Sequence, residues 1–229
     1  MKQLYLIINI ASVIVPILFS FHPKIKFYEK YNSIFPAMLL ALVLFIPWDI
    51  LFTYLGVWGF NRNYVLGFNF INLPIEEVMF FLCIPYACIF TYHCINKFMR
   101  IERFLKFEKV ISLSLVLFLS VLAALNFTRL YTSVTFTALA CFILFLKYIL
   151  KVSWLHKFYL SYLILLFPFI IVNGLLTGTG LNEPIVSYNN NQNLGFRILT
   201  IPFEDVFYGM FLLMLSVSVY EHLSGKSKI

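Results

Sequence analysis

Charged residues are scarce in this chain, and their scarcity excludes an ordinary soluble domain. Only 12% of the 229 residues are charged and 62% are hydrophobic, whereas a soluble domain usually has about 25% charged residues. Ten acidic residues stand against 17 lysines and arginines, giving a net charge of +7. With acids so rare, any place where two occur together is a candidate functional site.

Sequence motifs for metals and common cofactors are also missing. The four cysteines lie inside apolar stretches without zinc-ligand spacing: Cys83, Cys88, Cys94 and Cys141. The four histidines are scattered and form no HExxH motif. The chain also lacks a GxGxxG fingerprint, a phosphate-binding loop and a GxSxG motif. We therefore expect no metal site, no serine nucleophile and no tightly bound cofactor.

Long apolar runs occupy most of the chain. Runs of about twenty apolar residues are long enough to cross a bilayer as helices, and seven occur, at about 3–21, 34–56, 75–96, 109–125, 130–150, 157–176 and 201–220. The first run is too long for a signal peptide, and no small-x-small cleavage site follows it before Lys24. The pattern predicts an all-α, polytopic membrane bundle of about seven transmembrane helices.

The basic residues predict the orientation of this bundle. In a seven-helix arrangement four basic residues fall on one side: Lys2, Arg62, Arg129 and Arg197. Thirteen fall on the other: Lys24, Lys26, Lys30, Lys97, Arg100, Arg103, Lys106, Lys109, Lys147, Lys151, Lys157, Lys226 and Lys228. Cytoplasmic loops carry the basic excess, so we expect a cell-membrane protein with its N terminus outside and its C terminus cytoplasmic. Loop anchoring also accounts for the positive charge, and no nucleic-acid partner is expected.

An internal repeat divides the chain. One spacing of polar and glycine residues occurs in the second and sixth helices, as Asp49, Thr53 and Gly56 and again as Asn173, Thr177 and Gly180. Each group is followed by a polar loop and then by a proline with two acids, in LPIEE and IPFED. The repeat predicts two related three-helix units and a spacer helix, with boundaries at 1–100, 101–128 and 129–229.

The spacer determines how the two units are oriented. A four-helix offset returns the second unit to the orientation of the first, so the repeat is parallel. Both acidic pairs then begin helices on the non-cytoplasmic side, where the helices carrying Asp49 and Asn173 end. We expect these polar side chains to meet at one depth, near one face of the membrane.

The acidic pairs have both a structural and a catalytic interpretation. An acid behind a proline is an ordinary helix start, but this explains one acid better than two, and it leaves Asp49 unexplained. Adjacent residues point about 100° apart on a helix, so one acid of each pair should face a shared cavity while its neighbour supports it. A carboxyl group in an apolar pocket can stay protonated and act as a general acid, while an ionised partner accepts a proton.

Four stretches, WDILFTYLGVWGFN, LPIEEVMFF, IPYACIFTYH and IPFEDVFYG, resemble the membrane-embedded, non-flavin lycopene cyclase family. That family consists of three-helix units with a Pro-x-Glu-Glu or Pro-x-Glu-Asp signature, found as two subunits or as one fused chain. The resemblance covers nearly the whole chain and implies the fused form. It also implies lycopene or a related linear carotenoid as substrate, membrane lipids as surroundings, and other carotenoid-pathway enzymes as candidate partners.

The resemblance further implies the reaction and the residues that carry it out. A lycopene cyclase protonates the terminal double bond of a ψ end group, closes a ring on the resulting cation and releases a proton. This isomerisation takes lycopene through γ-carotene to β-carotene without net redox. The implied acid/base residues are Glu76, Glu77, Glu204 and Asp205, with Asp49 orienting groups or stabilising the cation; which acid donates stays open. Candidate substrate-binding residues are Pro74, Phe80, Phe81, Trp48, Phe203, Phe207 and Asn173.

Other functions fit parts of the pattern. A cyclase that forms an ε ring, or that acts on a fifty-carbon carotenoid, needs the same residues. A small transporter or channel also combines repeats with intramembrane acids, although transporter repeats are often inverted and their helices broken at mid-membrane. A non-catalytic scaffold would leave Asp49 and the paired acids unexplained.

Overall fold

The computed structural model describes residues 2–99 and 102–226, and these residues form seven α-helices. The helices are α1 Leu4–Ser20, α2 Tyr31–Tyr54, α3 Ile75–Phe98, α4 Glu108–Leu125, α5 Leu130–Leu144, α6 Leu155–Leu176 and α7 Phe203–Lys226. The predicted all-α polytopic bundle is confirmed. Short 3-10 turns at Phe27–Lys30 and Glu102–Phe107 lead into α2 and α4, and a π-helical turn at Phe145–Ile149 follows α5.

Six helical segments of the described chain are long and apolar enough to cross a membrane. They are Phe27–Tyr54, Ile75–Phe98, Leu105–Leu125, Leu130–Ile149, Leu155–Leu176 and Phe203–Gly225. The remaining helix, α1, is apolar but shorter, with 17 residues. At 1.5 Å per residue it extends about 25 Å, which is at the lower limit for a membrane span.

Six short strands in the described residues occupy connections that the sequence indicated only as polar loops. They are β1 Trp58–Phe60, β2 Asn69–Phe70, β3 Leu73–Pro74, β4 Val186–Tyr188, β5 Arg197–Ile198 and β6 Ile201–Pro202. Strands β2 and β3 form a hairpin just before α3, and β5 and β6 form the equivalent hairpin before α7. Strand β1 pairs antiparallel with β4 and so joins the loops of the two units.

The backbone repeats its unusual conformations along with its motifs. Gly67 and Gly195 both have positive φ, as do the hairpin residues Ile71 and Leu199, each with φ of 58°. Each pair is 128 residues apart. Helix packing follows the same relation, since α1 packs on α3 and α5 packs on α7. Helix α2 packs along α7, and α6 faces α3, so each unit presents its second helix to the third helix of the other.

The bundle has an acidic end and a basic end. Helices α2 and α6 end, and helices α3 and α7 begin, at the end that carries the β-strands. The connections at the opposite end hold most of the lysines, and there Lys147 Nζ lies 2.7 Å from Glu108 Oε1. Two residues of the predicted basic side, Arg100 and Lys228, lie outside the described residues.

Candidate active site

Three carboxyl groups meet inside the bundle, close to its acidic end. Asp49 lies near the end of α2, Glu77 in the first turn of α3 and Asp205 in the first turn of α7. Their exposed fractions are 2%, 7% and 5%. All three line one cavity of about 200 Å³. The cavity therefore lies between the two units, and both units contribute acids to it.

The neighbouring acids, Glu76 and Glu204, point elsewhere. Glu76 Oε1 accepts a hydrogen bond from the Leu66 amide at 2.6 Å, and Glu204 Oε1 accepts the equivalent bond from the Leu194 amide at 2.7 Å. Thr132 also donates to Glu204 Oε1, at 2.5 Å. These carboxyl groups hold the loops that lead into α3 and α7. The placement agrees with the expectation that one acid of each pair faces the cavity and the other supports it.

Asp49 and Glu77 form a carboxyl pair within the cavity. Both side chains line this cavity. Tyr5 donates to Glu77 Oε2 at 2.5 Å, and Tyr208 donates to Asp49 Oδ1 at 2.7 Å. Two carboxyl groups that share an apolar pocket are not readily ionised together, because like charges repel there. The arrangement therefore suits a pair that retains one proton.

Asp205 has different partners. Its Oδ1 accepts a hydrogen bond from Tyr131 at 2.6 Å, and its Oδ2 accepts one from Tyr188 at 2.9 Å. Burial and the charge of Asp205 raise the pKa of the Tyr188 phenol well above its ordinary value, so this phenol stays a donor at neutral pH. Each oxygen of Asp205 is therefore fixed in position by a phenol group.

The paired strands close the cavity above the acids. Trp58 and Phe60 of β1, with Val186 and Tyr188 of β4, contribute to the cavity lining. The Trp58 ring lies 5.2 Å from the Tyr131 ring and 6.0 Å from the Tyr208 ring, measured between centroids. Hydrophobic rings thus separate the carboxyl groups from the aqueous end of the bundle.

The predicted substrate-binding residues are divided between the cavity and the core. Phe80 and Asn173 line the cavity. In the part of the chain that the structure describes, the other five are absent from its lining: Pro74, Trp48, Phe81, Phe203 and Phe207. Pro74 is buried in β3, and the four aromatic residues pack in the helical core, as Phe81 does against Phe45 and Phe207 against Phe136.

The tyrosines on the acids were missed as site residues. Tyr5 and Tyr131 lie near the starts of α1 and α5, the first helices of the two units, and each bonds the cavity-facing acid of its own unit. The signal for them in the sequence is the repeat itself, because Tyr5 and Tyr131 occupy equivalent positions in the first helices of the two units. Among the described residues no group of His, Cys, Asp and Glu side chains is arranged to hold a metal.

Comparison with known families agrees with this geometry. The family model for lycopene cyclase matches the chain twice, over residues 2–95 and over residues 128–223. Each match covers one three-helix unit, and helix α4 lies between them. Comparisons with curated proteins and with solved structures gave no match. Because the two matches together cover most of the chain, the protein belongs to the lycopene cyclase family and carries two repeats of its unit.

Proposed function

We propose that this carotenoid cyclase converts the linear ψ end groups of lycopene to β rings, through γ-carotene to β-carotene. The observation that carries the proposal is the set of three buried carboxyl groups at one end of an apolar cavity. Proton addition and proton loss are the only transfers that this isomerisation needs. The reaction is that of an intramolecular lyase, and the site supplies both transfers from side chains.

The Asp49 and Glu77 pair is the proton donor in this proposal. The pair retains one proton in this proposal, because two carboxyl groups in one apolar cavity are not readily ionised together. Protonation of the terminal double bond places the added hydrogen on one carbon and leaves a tertiary cation on the other. The remaining charge is shared by two carboxyl groups, with the Tyr5 and Tyr208 phenols donating to them.

Aromatic side chains stabilise the cation, and the paired strands β1 and β4 shield it from water. Phe60, Phe80 and Trp58 line the cavity beside the acids, and ring faces attract positive charge. The paired strands β1 and β4 also limit the access of water to the cavity, and so prevent water from reacting with the cation. Under these conditions the neighbouring double bond of the substrate attacks the cation and closes the six-membered ring.

Asp205 completes the reaction as the proton acceptor. Its two oxygens are held by Tyr131 and Tyr188, which keeps the carboxylate aimed at a fixed position in the cavity. Removal of a proton from the ring cation forms the ring double bond. One proton enters and one leaves, so atoms and electrons balance without an oxidant or a reductant.

Pigment analysis in a bacterial host that accumulates lycopene tests this function. We expect β-carotene to replace lycopene when the chain is expressed, and a Glu77→Gln variant present in the membrane at equal level to leave lycopene unchanged. A product with ε rings would retain the acid cluster as the site but change the carbon from which the proton is lost. Unchanged lycopene, with the wild-type chain demonstrably in the membrane, would contradict the proposal.

We further propose that the acid cluster lies in the non-cytoplasmic half of a cell membrane, with the N terminus outside and the C terminus cytoplasmic. The separation of an acidic end from a lysine-rich end supports this orientation, since cytoplasmic loops carry the basic excess. Each unit, residues 1–100 and 129–229, contributes acids from this side. Reporter fusions after Lys97 and after Arg129 test the orientation, because they should report cytoplasmic and external positions respectively.

A further inference from the structure

The two sides of the acid cluster are packed differently although the units are related by a repeat. Between α2 and α7, aromatic rings fill the space. The centroid of the Phe45 ring lies 5.2 Å from that of Tyr208 and 5.4 Å from that of Phe211, and Trp48 lies 6.2 Å from Phe211. This side of the bundle is closed.

The related side, between α6 and α3, contains the cavity. Phe169 and Val172 of α6 line it, with Gly209 of the neighbouring α7. The offset of 124 residues that relates the motifs of α2 and α6 makes Val172 the counterpart of Trp48. The offset of 128 residues that relates α3 and α7 makes Gly209 the counterpart of Phe81. Two large side chains in the first unit are thus small in the second, next to the open space.

The cavity is long and narrow. On α3 its lining extends from Glu77 to Thr91, and on α1 from Tyr5 to Pro16. Steps of fourteen and eleven residues along a helix correspond to roughly 21 Å and 16 Å. The cavity volume of about 200 Å³ is below the range of about 300–1,000 Å³ that is usual for drug-sized ligands. It therefore fits the end of a forty-carbon hydrocarbon and cannot enclose the whole molecule.

We infer that this cavity is the only substrate tunnel of the described chain, that it admits one end of a linear polyene at a time, and that Gly209 and Val172 determine its width. The inference rests on the proposed function for the chemistry of its occupant. The carboxyl groups stand at the inner end of the tunnel, where an entering end group stops. The two ends of one substrate molecule are then cyclised in separate binding events at a single site.

The surroundings of Gly209 indicate how large a side chain fits at this position of the tunnel. A Cβ atom at this position would lie 3.3 Å from Phe169 Cε2 and 3.5 Å from the Tyr162 hydroxyl. A shift of the Phe169 ring by a few tenths of an ångström accommodates alanine. A phenylalanine would project between these two rings into the tunnel, and would recreate the packing that Phe81 has in the first unit.

Cysteine protection tests the tunnel independently of catalysis. Cys88 lines the cavity, whereas Cys83, Cys94 and Cys141 are absent from its lining. We would prepare a chain that keeps Cys88 alone, with the other three changed to alanine, and insert it into lipid vesicles with and without lycopene. We expect lycopene to slow alkylation of Cys88 by a small maleimide at least tenfold. A chain that keeps only Cys141, which lies on the outside of the bundle in the candidate span Leu130–Ile149, is the matched control. A membrane-permeant maleimide should alkylate it at the same rate in both vesicles.

Three substitutions then test what sets the width. Gly209→Phe should abolish both the protection of Cys88 and the cyclisation of lycopene. The control Leu163→Phe, at an exposed position of α6 outside the cavity lining, should keep both. If Gly209→Phe does not insert into the membrane, Val172→Trp, which restores the first unit's residue, decides in its place. Lycopene conversion without protection of Cys88, or full conversion by an inserted blocking variant, would overturn the inference. Protection without conversion by the wild-type chain would sustain the tunnel and refute the proposed function.

Discussion

Two adjacent glutamates provide the sharpest prediction. Glu77 faces the cavity, and Glu76 holds the Leu66 amide at 2.6 Å. Glu77→Gln removes one carboxyl of the proposed donor pair but keeps the shape of the side chain. Glu76→Gln keeps an oxygen that accepts the Leu66 bond. The pair of variants therefore changes the same chemical group in the same helical turn, once inside the cavity and once outside it.

The two variants should affect different quantities, the cyclisation rate for Glu77→Gln and the folding stability for Glu76→Gln. A general acid typically contributes a factor of about 10² to 10⁴, which is roughly 3–5 kcal/mol of transition-state stabilisation. Glu77→Gln should lower the cyclisation rate by that factor. A hydrogen bond to a charged acceptor contributes about 1.5–3 kcal/mol and one to a neutral acceptor about 0.5–1.5 kcal/mol. Glu76→Gln should therefore reduce stability by about 1 kcal/mol and change the rate only a few-fold.

Initial rates of lycopene conversion in lipid vesicles, normalised to folded protein, measure both effects. Thermal denaturation followed by tryptophan fluorescence gives the stability of each variant. The reasoning is refuted if folded Glu76→Gln protein loses as much activity as Glu77→Gln. It is equally refuted if Glu77→Gln converts lycopene at the wild-type rate.

Three further predictions concern the acceptor, a strained turn and the basic end. Tyr188→Phe removes one hydrogen-bond donor to Asp205. Because a bond to a charged group contributes about 1.5–3 kcal/mol, the cyclisation rate should fall at least tenfold. An unchanged rate would exclude this positioning role. Ile71→Gly should raise the denaturation temperature, because a β-branched residue at φ of 58° is strained by about 1–2 kcal/mol; a lower temperature would contradict it. Lys147→Met breaks the largely buried ion pair with Glu108. It should lower the denaturation temperature and leave the cyclisation rate per folded molecule unchanged. An altered rate would connect the basic end of the bundle to catalysis.

The membrane class and the acid site follow from the sequence because they depend on strong local signals. Runs of twenty apolar residues leave few folds other than helices across a bilayer. The repeat relates Glu77 to Asp205, and helix geometry turns one acid of each pair away. Helix limits were less predictable, as with α2, which begins at Tyr31 and not at residue 34, because the preceding turn already has a helical backbone.

The remaining parts of the site depend on contacts between distant residues. Strands β1 and β4 lie in different units, and their pairing of Gly59 with Ser187 has no signal in either loop alone. The residue type alone does not show whether an aromatic side chain near the acids lines the cavity or fills the core. Phe80 lines the cavity, whereas its neighbour Phe81 packs in the core. Gly209 gains its meaning only when the packing of α6 against α3 is known.

Cyclisation in heavy water tests the central claim most directly. The chain would be placed in lipid vesicles prepared in D₂O, supplied with unlabelled lycopene, and its products analysed by mass spectrometry. In the proposed mechanism Glu77 and Asp49 deliver a solvent-exchangeable proton, and Asp205 removes a proton from the substrate. Each ring formed should therefore gain one deuterium. The monocyclic product should be one mass unit heavier, and the bicyclic product two mass units heavier. Rings formed without deuterium would contradict proton donation by the carboxyl pair.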